Sequence, residues 1–161
     1  MKTLFIMCGC PGSGKSYIVK NKLVPHSHVV CISRDEIRFD FLKEEENYFA
    51  HEKEVYNWYI DNLVRALRNP LYDAVIADAT HLNWASRRKL IQSIGKYFPL
   101  DKALNIVPIV VRCKLDVALA RNSERGGRAC VPDKVIKQMY GRMQDPKNDP
   151  FNYDGIMYVE N

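Results

Sequence analysis

Short continuous apolar runs alternate along the chain with longer stretches in which apolar residues recur periodically. Residues 3–8, Val29-Val30-Cys31-Ile32, Ala74-Val75-Ile76-Ala77, Ile106 to Val111 and Ile156 to Val159 are runs of strand length. Between them, apolar residues return every three or four positions, the period of a helix with one buried face. Residues 15–23, 86–97, 115–125 and 135–143 read this way. In the longest such segment, 47–68, Phe49, Val55, Trp58, Tyr59, Leu63, Val64 and Leu67 share roughly one face before Asn69-Pro70 stops it. Strands alternating with helices predict a parallel sheet covered by helices. The wholly apolar 74–77 run predicts a central strand. The expected fold class is α/β, with about five parallel strands in a single domain over residues 1–161 and no internal repeat or linker.

The first strand runs directly into Gly9-Cys10-Pro11-Gly12-Ser13-Gly14-Lys15-Ser16, which fits G-x-x-x-x-G-K-[ST]. A strand opening into a glycine-rich loop and then a helix turns backbone N–H groups toward an anion. Lys15 is expected to reach the β- and γ-phosphates of a nucleoside triphosphate, and the Ser16 hydroxyl to ligate Mg²⁺. ATP and Mg²⁺ are the implied ligands.

Composition narrows the picture further. The 161 residues hold 24 Lys and Arg against 19 Asp and Glu, a net charge of +5. The balance alone fits any solvated surface, but acidic residues concentrate in Glu44-Glu45-Glu46 and the following helix while arginines cluster at 87–88 and 121–128. That distribution admits a phosphate-rich partner and argues against uniform coating of nucleic acid. No apolar run reaches membrane-spanning length, so no membrane partner is expected. The N-terminal apolar run leads into the glycine loop and does not read as a signal peptide. Cys8, Cys10, Cys31, Cys113 and Cys130 are scattered without a C-x-x-C pair, which predicts neither zinc nor disulfides. A cytoplasmic location is expected.

Three further segments carry candidate chemistry. Asp35 and Arg38 in Ser33-Arg34-Asp35-Glu36-Ile37-Arg38 share a face if a helix starts at Ser33 or Arg34. Beyond a strand's carboxyl end they should face the phosphate loop. There a carboxylate can take the proton of an attacking hydroxyl and an arginine can orient the acceptor. An ordinary capped helix start is the alternative. Asp78 and Thr80 close the third strand on the same side, as acceptor or phosphate contacts or as ordinary strand-end polar residues. His81 reads as structural or solvated, with a catalytic base as the alternative, and Arg87 and Arg88 as a solvated helix face. Arg121 and Arg125, spaced i, i+4, are expected on one helical face ahead of Gly126-Gly127 and Arg128. That suits a hinged lid delivering an arginine to the transferring phosphate, with a solvated basic surface as the alternative.

Taken in order, G-C-P-G-S-G-K-S, S-R-D-E-I-R, D-A-T-H-L-N with Arg87-Arg88, and R-N-S-E-R-G-G-R-A-C-V-P resemble the kinase domain of polynucleotide 5′-hydroxyl kinases, the phage and bacterial RNA-repair enzymes in particular. The resemblance spans nearly the whole chain. It implies a P-loop kinase fold with an arginine-bearing lid, in which residues 9–16 bind ATP and Mg²⁺. It further implies Asp35 as general base on the 5′-hydroxyl end of a nucleic acid and Arg38 on the acceptor's 3′-phosphate. Asp78 and Thr80 match residues near the acceptor. Arg121 and Arg125 match lid arginines, Arg125 on the β- and γ-phosphates. His81 stands where the family usually has asparagine. The phosphatase or ligase half often fused to such kinases is not found, so 3′-end processing is not expected. A small-metabolite or antibiotic kinase is the alternative enzyme, and a non-catalytic nucleotide-dependent binding module a more distant one.

Overall fold

Among residues 1–100, 104–127 and 130–161, which the computed structural model describes, five strands form: β1 (Lys2–Cys8), β2 (Val29–Ser33), β3 (Ala74–Asp78), β4 (Leu104–Arg112) and β5 (Met157–Glu160). They make one all-parallel sheet in the order β2-β3-β1-β4-β5. The helices are α1 (Lys15–Ile18), prolonged by a π-helical stretch (Val19–Leu23), then α2 (Arg34–Phe41), α3 (Glu52–Arg68), α4 (Trp84–Gly95), α5 (Leu115–Ser123) and α6 (Asp133–Arg142), with a 3₁₀ turn at Pro146–Asn148. The α/β expectation holds. No helix of the described residues is long and apolar enough to cross a membrane.

Alternation along the central strand explains the two layers. Leu4, Ile6 and Cys8 pack on one face with Tyr59, Leu63 and Leu67 of α3 and Leu90 and Ile94 of α4. Met7 packs on the other with Ile76 and Ile109 of neighbouring strands and Ile18 and Val19 of the first helix. Successive side chains of a strand point to opposite faces, so a strand covered on both reads as a continuous apolar run. Pro108 is tolerated inside β4 because β5 pairs only from Ile109 onward, which leaves β4 an edge at that point.

Two element boundaries differ from expectation for local reasons. The long helix begins at Glu52, not at residue 47, because the Asn47 side chain accepts from the Phe49 N–H at 2.9 Å and holds a turn instead. The fifth helix stops at Ser123, where the buried Asn122 side chain exchanges hydrogen bonds with the Val131 backbone at 2.6 and 3.0 Å, so Arg125 lies beyond it. The described cysteines are all free, with Cys8 and Cys10 buried.

Arg87 corrects the sequence reading. It is not on a solvated face but fully buried, its Nε and Nη2 each donating to the Asp149 carboxylate at 2.7 Å. Its remaining donors reach the His81 and Gln144 carbonyls at 2.8 and 2.9 Å. Removing one partner of such a pair costs about 3–5 kcal/mol, because the other is left charged and buried. Arg88, one residue on, is exposed as expected.

Candidate active site

The carboxyl ends of β1, β2 and β3 gather the candidate residues at one edge of the sheet. After β1, the loop Gly9–Ser16 folds over itself. Gly12 and Gly14 have φ of 80° and 101°, the left-handed region that side chains disfavour. A Cβ on Gly12 would also strike the Ala118 carbonyl of α5, so this loop is seated directly on that helix. The Gly9 N–H donates to the Thr80 carbonyl at 3.0 Å, which ties the loop to the end of β3. Lys15 lies half-buried, with Nζ donating to the Gly9 and Cys10 carbonyls at 2.8 and 3.0 Å. Burial pushes its pKa down, opposed first by the nearby Asp78 carboxylate. The buried Ser13 hydroxyl has no hydrogen-bond partner among the described residues. A cradle built on glycines and holding an ammonium fits a polyphosphate.

The acceptor-side candidates follow β2. Ser33 caps α2 by accepting from the Glu36 N–H at 3.3 Å, which puts Asp35 and Arg38 on one helical face in direct ion-pair contact. Arg38 is buried. Its Nε and Nη2 donate to the two Glu52 oxygens at 2.7 and 3.1 Å, and Nη1 donates to the Tyr48 hydroxyl at 2.6 Å. Burial alone would lower the Arg38 pKa, but the Glu52 hydrogen bond and surrounding charges leave it raised. Tyr48 donates to Asp35 Oδ1 at 2.5 Å, and burial followed by that bond pushes the phenol up. Both contacts to Asp35 fall on Oδ1, leaving Oδ2 without a protein donor among the described residues. Tyr48 and Glu52 were not foreseen. They lie 10 and 14 residues from Arg38, and no local pattern announces either pairing.

These groups line one cleft of about 610 Å³. Pro11, Lys15 and Ser16 border it from the glycine loop and the start of α1, Asp35, Arg38 and Tyr48 from the second and third helices' side, Asp78 from the end of β3 and Thr80 from just beyond it. Burial raises the Asp78 pKa, and Lys15 is the largest force pulling it back. Arg125 also lines the cleft. Arg121 does not: its Nη1 donates to the Gly12 and Ser13 carbonyls at 3.5 and 3.3 Å, on the loop itself. The expected shared helical face is therefore not found, since the helix ends between the two arginines. Arg128 lies outside the described residues. A second hollow of about 600 Å³, bordered by Cys10, Ser13, Tyr140 and Asn161, opens on the other side of the loop.

For Mg²⁺, the cleft offers the exposed Ser16 hydroxyl and the Asp78 and Asp35 carboxylates, an all-oxygen set of the kind this ion prefers. No cluster of three or more acidic, histidine or cysteine side chains exists among the described residues to hold a metal alone. Mg²⁺ bound through one or two protein oxygens and substrate phosphates matches that donor set.

His81 stands just behind the cleft, with a φ of 41°. It is buried, its Nδ1 donates to the Met7 carbonyl at 2.8 Å, and its ring stacks on Tyr59. Burial pushes its pKa down to about 4, so it is neutral and structural. The unfolded chain takes up this proton near pH 6.5, so stability falls as pH drops from about 6.5 toward about 4. Urea unfolding at pH 7 and pH 5 should differ by about 2 kcal/mol through this group alone. A His81→Asn variant, whose side chain tolerates the same backbone, should lose that difference. An unchanged pH dependence would mean that His81 is protonated in the fold.

Sheet order, glycine loop and cleft together define a P-loop kinase-like fold. The chain belongs to the AAA domain family, which it matches over residues 4–146. No curated protein matches the sequence. Among solved structures, the fold is similar to a chain of the Pnkp1/Rnl/Hen1 RNA repair complex, with TM-score 0.72 and 19% identity over 94% of this chain and 47% of that one. This chain thus spans about half the length of that relative. It is also similar to a fungal RNA kinase, with TM-score 0.67 and 18% identity over 98% of this chain and 74% of that one. A sugar kinase from Janibacter sp. HTCC2649 gives TM-score 0.61 and 11% identity, covering 99% of this chain and 85% of the other. At these identities the likeness is one of fold.

Proposed function

We propose that this protein is an ATP-dependent kinase that transfers the γ-phosphate to the 5′-hydroxyl end of a polynucleotide. The observation that carries the reading is the Asp35–Arg38 pair, braced by Tyr48 and Glu52, across one cleft from Lys15 and Ser16. In this reading Lys15 leaves its loop carbonyls for the β- and γ-phosphate oxygens. Mg²⁺, held by Ser16, would neutralise triphosphate charge. Asp35 Oδ2 accepts the proton of the 5′-hydroxyl as its oxygen attacks phosphorus in line and ADP leaves. Arg125 approaches the developing charge from the lid side. Such transfer depends mostly on positioning and charge stabilisation, and these side chains supply both.

A small-metabolite kinase is the second reading. It is favoured by the Arg38 fork, all three of whose nitrogens already have partners, Nε and Nη2 on Glu52 and Nη1 on Asp35 and Tyr48, so that a 3′-phosphate would have to displace one of them. One assay separates the two. With γ-labelled ATP and Mg²⁺, a nucleoside 3′-monophosphate should be phosphorylated about 10- to 100-fold more efficiently than the bare nucleoside, the worth of one charge-assisted contact from Arg38. Equal use of the two acceptors would overturn the polynucleotide assignment.

A further inference from the structure

Phe49 has a position that the catalytic reading leaves unused. The ring is 55% exposed, yet it lines the acceptor end of the cleft beside Asp35 and Arg38. It is held there by the Asn47 turn, whose side chain accepts the Phe49 N–H and whose carbonyl accepts the Ala50 N–H, both at 2.9 Å. Tyr48 packs edge-on against Phe49 at 4.8 Å between ring centroids, and Phe39 packs edge-on against Tyr48 at 6.1 Å. The Arg38 guanidinium lies 4.3 Å from the Tyr48 ring centroid, so the aromatic cluster is continuous with the acceptor's charged contacts. An aromatic ring fixed in water against a cleft presents apolar surface that a flat ligand can cover.

The inference rests on the polynucleotide reading and asks what the third part of the acceptor meets. A terminal nucleotide offers a 5′-hydroxyl, a 3′-phosphate and a base. Asp35 and Arg38 answer the first two, and the base is flat and weakly polar on its faces. We propose that Phe49, backed by Tyr48 and Phe39, is a stacking platform for the base of the acceptor's terminal nucleotide. Stacking on an aromatic face is tolerant of base identity, because every base has a π-face. Such a platform would thus fasten an end without selecting its sequence.

The test compares 5′-hydroxyl oligonucleotides whose first residue carries a base with otherwise identical ones whose first residue is an abasic tetrahydrofuran. For the native protein, KM should be about 10- to 100-fold lower for the base-bearing end. Phe49→Ala should raise that KM to the abasic value, moving KM far more than kcat. Phe49→Trp should restore the difference. A native protein that does not distinguish the two ends, or a Phe49→Ala variant that keeps the full difference, overturns the platform. Loss of phosphorylation on every 5′-hydroxyl oligonucleotide, with and without the base, overturns the polynucleotide reading and the platform with it. That outcome is distinguishable from failure of the platform alone, in which both ends are phosphorylated.

Discussion

Replacing Lys15 with methionine is expected to lower phosphoryl transfer by about 10³-fold or more while leaving the protein at least as stable as before. Lys15 is the cation that the glycine loop presents to the cleft, and only a positive charge there can draw electron density from the transferring phosphate. The stability half of the prediction follows from its surroundings. Burial lowers the Lys15 pKa, so the folded protein holds the ammonium less comfortably than water does. Methionine keeps most of the stem and removes that penalty, which offsets the loss of the two hydrogen bonds to the Gly9 and Cys10 carbonyls. Thermal unfolding beside turnover at saturating ATP checks both halves. Near-native turnover would overturn the donor site, whereas a large fall in Tm would mean that Lys15 is a structural clamp.

Asp35→Asn should reduce the maximal rate by about 10²- to 10⁴-fold, with little change in KM for ATP. The substitution is unusually clean here. Oδ1 accepts from Tyr48 and Arg38, and an asparagine oxygen can accept from both, so the side chain keeps its place while the proton acceptor is lost. Glu52 continues to hold Arg38. Weak ATP binding with a normal rate would move Asp35 to the metal side and remove it from proton transfer.

How much of this was legible in the chain depends on how far apart the interacting residues lie. The glycine loop is local: eight consecutive residues dictate its backbone, and the preceding apolar run supplies its context. The Asp35–Arg38 pair is nearly as local, since a capped helix start places i and i+3 together. Arg87 was misread because its counter-charge, Asp149, stands 62 residues away, and a lone arginine on a helix gives no sign of a distant carboxylate. Tyr48 and Glu52 escaped notice for the same reason, on a smaller scale. The Arg121 and Arg125 spacing was read correctly as a number and wrongly as a geometry. The helix ends at Ser123, where the buried Asn122 side chain is bonded to the Val131 backbone nine residues on, and arginines that would have pointed together now reach the loop and the cleft separately.

The fork between Arg38 and Glu52 has a consequence for how such a protein could change its appetite. The phosphate loop hangs from strand β1, whose buried faces cannot be altered without disturbing the core. Asp35, Arg38 and Tyr48 are carried instead by α2 and the stretch between it and α3, residues 42–51, which contains neither helix nor strand. With Glu52 anchoring one end and Arg38 the other, that stretch is a cassette clipped at both margins. Its aromatic and acidic residues can be exchanged, lengthened or trimmed while the phosphate loop stays as it is. On the proposed reading, acceptor preference and the phosphate loop would thereby be written on separate stretches of the chain.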